Sequence, residues 1–86
     1  MTDAPERTEF WLVCEAGDIQ DFDDYYDARD ALKAAVKRDI ATHGEEAART
    51  SGVFHPYGYT INVVRDGSDV TEDWERNEPD KPLSMP

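Results

Sequence analysis

The side chains best suited to chemistry in this 86-residue chain are one cysteine, two histidines and twenty carboxylates. Cys14 and either His43 or His55 would make a nucleophile and base pair, but the chain has no spacing typical of such a pair. His43 fits the end of a helix, His55 precedes a proline, and Cys14 lies as a small apolar residue in the run FWLVC. We therefore predict that the protein is not an enzyme and has neither catalytic residues nor a cofactor.

Carboxylates are concentrated in two segments of the chain, and the first holds six aspartates within residues 18–30. A calcium loop needs oxygen ligands at alternate positions, and counting from Asp21 that pattern is interrupted by Tyr25 and Tyr26. A helix cap and a solvated turn explain the same residues, so we predict no metal site. The second acidic segment covers residues 66–80.

The whole chain carries a formal charge of -11. Such a charge disfavours encounters with nucleic acid or an anionic membrane, so a partner attracted by charge must be basic. Carboxylates spaced like phosphates can occupy the basic cleft of a nucleic-acid-binding protein, and aromatic side chains anchor many protein interfaces. We therefore predict a nucleic-acid mimic that occludes such a protein partner. The predicted partner-binding residues are Asp18, Asp21, Asp23, Asp24, Tyr25, Tyr26, Asp69, Glu72, Asp73 and Trp74.

The composition also supports an interpretation without any partner. Asp outnumbers Glu by 12 to 8 and Arg outnumbers Lys by 6 to 3, as in cytoplasmic proteins of salt-loving organisms. A small housekeeping domain of a halophile is therefore the alternative. In size and charge the chain is similar to small acidic inhibitors made by phages and mobile elements, a likeness that gives no residue a role. Arg29, Lys33 and Lys37 recur every four residues, and pairing with neighbouring carboxylates explains them.

One helix organises the predicted fold. Ala28, Leu32 and Val36 belong to an apolar stripe at helical spacing between Asp27, the predicted N-cap, and His43. Alternating or bulky apolar residues predict strands in the ranges 10–15, 19–22 and 59–65, the last lying under the helix. Asp66-Gly67 predicts a hairpin turn with positive φ at both residues, followed by a strand over residues 68–71 or beyond.

These elements predict an α+β domain in which one main helix packs on a three- or four-stranded, mainly antiparallel sheet in the order ββαββ. We expect a flexible arm over residues 1–8, a single domain over 9–74 and a flexible, acidic, proline-rich tail over 75–86. No secretory signal or membrane-spanning run is evident, so we expect a soluble cytoplasmic protein. Monomer and homodimer both remain open.

Overall fold

A computed structural model describes residues 7–50, 52 and 55–85. Its described part confirms the predicted α+β fold: one long helix lies on a four-stranded antiparallel sheet with strand order β2-β1-β3-β4. The strands are β1 (Thr8–Cys14), β2 (Ile19–Phe22), β3 (Tyr59–Arg65) and β4 (Ser68–Asp69). The helices are α1 (Tyr25–His43), α2 (Glu45–Arg49) and α3 (Thr71–Asn77), and a 3-10 turn covers Pro56–Gly58.

The strand register divides the sheet into two chemically different faces. On the face under α1, Phe10 lies opposite Val63 and Leu12 lies opposite Ile61, and all four side chains are buried. The helix contributes Ala28, Leu32 and Val36 to the same cluster. The apolar stripe predicted from the sequence therefore packs on the strand that was predicted to lie beneath it, and burial of this cluster stabilises the domain.

Helix α1 begins earlier than predicted. Asp24, not Asp27, is its N-cap, because Asp24 has extended backbone angles and its carboxylate accepts hydrogen bonds from the backbone N–H groups of Tyr26 (3.1 Å) and Asp27 (3.2 Å). Starting at Tyr25 turns that side chain into the core. The C-terminal end agrees with the prediction, since the helix ends at His43 and Gly44 adopts a positive φ of 88°.

The hairpin after β3 forms as predicted, with positive φ at Asp66 (51°) and Gly67 (81°). The strand that follows is only two residues long, whereas a longer one was predicted. Helix α3 replaces its continuation because the Asp69 carboxylate accepts from the Thr71 N–H at 2.9 Å, and this local bond turns the chain out of the ladder.

The C-terminal segment, predicted as a flexible tail over residues 75–86, is described as far as residue 85. Residues 75–77 belong to α3. The chain then returns to the side of β3 away from β1, where the Ile61 N–H donates to the Leu83 carbonyl at 2.7 Å. Leu83 is only 6% exposed and joins the core cluster. Flexibility of this segment stays a prediction from its polar, proline-rich composition, and the structure shows one buried leucine and a few backbone hydrogen bonds between the segment and the sheet. Of the predicted N-terminal arm, residues 1–6 lie outside the described range, and β1 already begins at Thr8.

Candidate protein-binding surface

The predicted acidic residues lie around the two opposite edges of the sheet. Asp18 precedes β2 and Asp21 lies within it, at one edge, whereas Asp69 lies in β4 and Glu72 and Asp73 open helix α3 at the other edge. Two strands separate these edges, so β2 and β4 are about 14 Å apart at the usual strand spacing. The structure therefore does not merge the two acidic segments into one cluster.

Asp23 and Asp24 follow β2 and have structural partners. The Asp24 carboxylate caps α1, and the Asp23 carboxylate accepts from the Arg7 guanidinium at 3.2 Å. Arg7 also lies 3.8 Å from Glu9, and its backbone N–H donates to Asp66 at 3.2 Å. The Asp23 pair is exposed at the surface, where such an ion pair contributes at most about 1 kcal/mol, so Asp23 remains available to a partner.

The predicted aromatic anchors are largely structural. Tyr25 is 6% exposed, and its hydroxyl donates to the Pro82 carbonyl at 2.7 Å. Trp74 is half-buried; it stacks on Tyr25 and its indole N–H donates to the Lys81 carbonyl at 3.2 Å. Tyr26 alone of the three is exposed, at 60%, with the Lys81 ammonium 6.0 Å from its ring centroid. Tyr25 and Trp74 therefore hold the C-terminal segment in place.

Burial raises the pKa of two tyrosines above the ordinary phenol value. For Tyr25 the main cause is desolvation, partly offset by the positive charge of Arg29. For Tyr59 desolvation again comes first, followed by the negative charge of Asp39. Both hydroxyls therefore stay protonated at neutral pH, as hydrogen-bond donors and not as bases.

The face of the sheet opposite α1 carries a surface that the sequence did not single out. Asp21 lies opposite Trp11, Trp11 lies opposite Asn62, and Asp69 lies opposite Val64 two residues further along β3. Residues paired across strands project to the same face, so these side chains share one surface. We call it the open face; its strand residues are Glu9, Trp11, Val13, Ile19, Asp21, Thr60, Asn62, Val64 and Asp69.

No helix in the described part of the chain lies on the open face, and all of its residues except Val64 are half-buried or exposed. Trp11 is central to it. Its indole N–H is shielded from solvent and finds no acceptor within residues 7–50, 52 and 55–85. The run FWLVC did carry a signal, because its apolar residues alternate to both faces, but that pattern cannot tell which face a helix will cover.

A groove separates the open edge of the sheet from α1. It has a volume of about 250 Å³ and is floored by Leu12, Cys14 and Tyr59 of the sheet. Gln20 and Asp18 form its β2 side, and its helix side consists of Ala31, Ala34, Ala35 and Arg38. Because three alanines lie in succession along this side of the helix, the groove remains open to solvent.

The pKa of Asp69 is displaced by hydrogen bonds from its neighbour Thr71. The hydroxyl and the backbone N–H of Thr71 both donate hydrogen bonds to the Asp69 carboxylate, and they lower its pKa below the ordinary aspartate value.

Carboxylates also occupy the opposite side of the molecule, since Asp30, Glu45 and Glu46 are exposed on α1 and α2. The acidic character of the surface is therefore not confined to the open face.

Together these features define a small α+β domain with one helix-covered face and one open, tryptophan-centred acidic face. Within the described ranges no group of three or more His, Cys, Asp or Glu side chains is arranged to hold a metal ion. No described helix combines the length and apolar character that crossing a membrane requires. Comparisons with protein-family models, with curated proteins and with solved structures gave no match.

Proposed function

We propose that this protein is a non-enzymatic binding protein that occludes a basic, nucleic-acid-handling protein partner. The observation that supports this most is that Asp21 and Asp69, from the two acidic segments, project from opposite edges onto the same open face. Trp11 and Asn62 lie between them. Trp11 thus provides an aromatic centre with carboxylates at the margin, and protein interfaces are enriched in aromatic residues and depleted of charge at their core.

The geometry of the charges also fits a mimic. The two acidic edges are about 14 Å apart, close to the roughly 12 Å width of the DNA major groove. A basic cleft that binds two phosphate rows would therefore meet two acidic strands at a separation of this order. The proposed anchor on this surface is Trp11 in place of Tyr25 and Trp74, whose side chains pack against the core.

The test immobilises the full chain and uses it to capture proteins from a nuclease-treated lysate at low salt. DNA or RNA is then added to compete with the chain for each captured protein. We expect basic nucleic-acid-binding proteins whose binding is mutually exclusive with nucleic acid and weakens steeply as salt rises. The variant Glu9→Gln/Asp21→Asn/Asp69→Asn should lose capture. The matched control Asp30→Asn/Glu45→Gln/Glu46→Gln removes the same charge from the helical side and should retain capture. A partner that binds this protein and nucleic acid simultaneously would contradict the proposal.

A small housekeeping domain of a halophile is the second candidate function, and the exposed carboxylates on α1 and α2 favour it because no single surface explains them. Circular dichroism of the chain in dilute buffer and in molar salt separates the two functions. A solvent-adapted domain should show helical circular dichroism only in molar salt, where screening shortens the reach of repulsion to about 3 Å. A binding protein should be folded in the dilute buffer used for capture.

A further inference from the structure

The edge of the sheet at β2 has an unused set of backbone hydrogen-bonding groups. The Cys14 N–H donates to the Asp18 carbonyl at 2.9 Å, which makes this a hydrogen-bonded pair of the antiparallel ladder. Such pairs alternate with non-bonded ones, so Gln20 and Phe22 direct their backbone groups toward β1. The N–H and C=O groups of Ile19 and Asp21 therefore point outward, and no other strand of the described chain pairs with them.

Side chains along this edge alternate between two environments. Ile19 and Asp21 project onto the open face, and Ile19 is 57% exposed. Gln20 projects to the helix side, where it borders the groove between β2 and α1. An added strand would obey the same alternation, so its residue opposite Gln20 would enter the groove and the two flanking residues would lie over the open face.

We propose that the β2 edge and the adjoining groove form a β-augmentation site for an extended basic segment of the partner. This inference rests on the proposed function and names the part of the partner that is recognised. The segment adds antiparallel to β2, its backbone bonding Ile19 and Asp21, with one apolar side chain in the groove and a Lys or Arg on each side of it. The groove, at about 250 Å³, accommodates one side chain of the size of Leu.

The carboxylates along the β2 edge favour a basic segment of the partner over a second copy of this chain. Asp18, Asp21 and Asp23 line the edge, so two copies paired through β2 would bring these carboxylates together. Like charges directly opposite one another destabilise a strand pair, whereas lysines or arginines at the same positions are attracted. A short edge strand bearing carboxylates thus resists self-association while remaining open to a cationic strand.

The test uses the full chain and a capped seven-residue probe peptide, Lys-Ser-Lys-Leu-Lys-Ser-Lys. We expect binding at low salt, with the backbone amides of Ile19 and Asp21 becoming protected from hydrogen exchange. N-methylation of the two lysines that flank leucine removes the donors facing β2 and should weaken binding about tenfold or more. N-methylation of the leucine is the matched control, because that N–H points away from β2, and it should leave the affinity unchanged.

A second pair of variants tests the groove. Ala34→Phe fills it and should weaken binding of the leucine probe about tenfold or more, since the apolar side chain loses its site. Ala41→Phe adds the same ring at an exposed helix position that does not line the groove and should have no effect.

Equal affinity for both N-methylated probes would overturn the inference, because attraction would then be charge alone. Association of the chain with itself through β2 would overturn it as well. If captured partners bind normally to Ala34→Phe, the β2 site fails while the proposed function stands. If the probe binds as expected but no captured protein competes with nucleic acid, the proposed function fails and the β2 site stands.

Discussion

The two edges of the sheet are treated in opposite ways by the chain. At the β3 side the Val63 N–H donates to the Thr71 hydroxyl, the Val70 N–H donates to the Val63 carbonyl, and the Ile61 N–H donates to the Leu83 carbonyl. At the β2 side the outward groups of Ile19 and Asp21 have no described strand beside them. Exposed edges can pair with strands of other chains. Because the chain closes one edge with three separate contacts and leaves the opposite edge open, the open edge is suited to recognition.

The largest expected effect breaks the closed edge. Leu83 is 6% exposed, and Leu83→Ala should lower the free energy of unfolding by about 2–4 kcal/mol, because it empties a core position and releases the segment that covers β3. The matched change at the open edge, Ile19→Ala, should cost less than about 0.5 kcal/mol, since that side chain is already in solvent. Urea denaturation measures both, and equal losses would mean that the two edges do not differ.

This contrast also marks the limit of prediction from sequence. Helix α1 and strands β1 to β3 were predictable because their apolar periodicity is a local property, repeated over several turns or residues. The contacts that cover the free side of β3 were not predictable. They depend on single residues, Thr71 and Leu83, within polar or proline-rich sequence that resembles a free tail. The two acidic segments are evident in the sequence, but the sequence could not reveal that Asp21 and Asp69 share a face or that Tyr25 is buried.

An intermediate effect is expected from the two tryptophans, of which Trp74 lies at the closed edge and Trp11 at the centre of the open face. The Trp74 indole N–H donates to the Lys81 carbonyl and its ring packs on Phe10, whereas the Trp11 indole N–H has no acceptor among the described residues. Trp74→Phe removes a hydrogen bond, while Trp11→Phe removes a shielded donor without a partner. We expect Trp74→Phe to destabilise the protein by about 1 kcal/mol more than Trp11→Phe.

Urea denaturation midpoints of the two variants and of the unchanged protein measure this difference in stability. Both substitutions replace an indole by a phenyl ring at a half-buried position, and the Trp74 value also includes the contact with the Lys81 ammonium, 5.6 Å from the ring centroid. A larger loss for Trp11→Phe would contradict this expectation, because it would show that the Trp11 indole N–H donates a stabilising hydrogen bond.

The smallest expected effect concerns Asp69, which borders the closed edge. Hydrogen bonds from Thr71 lower its folded-state pKa, so its contribution to stability is complete above the unfolded value of about 3.9 and is lost as pH falls through the lower folded value. Thr71→Val removes the hydroxyl donor and should raise the pKa of Asp69 toward the ordinary value; Thr71→Ser keeps the hydroxyl and should not. An NMR titration of the Asp69 carboxyl carbon follows this one group, whereas global stability also changes as other carboxylates are neutralised and repulsion declines. The same titration midpoint in all three proteins would show that the Thr71 hydroxyl does not hold this carboxylate, and the lowered pKa of Asp69 would then rest on the Thr71 backbone N–H.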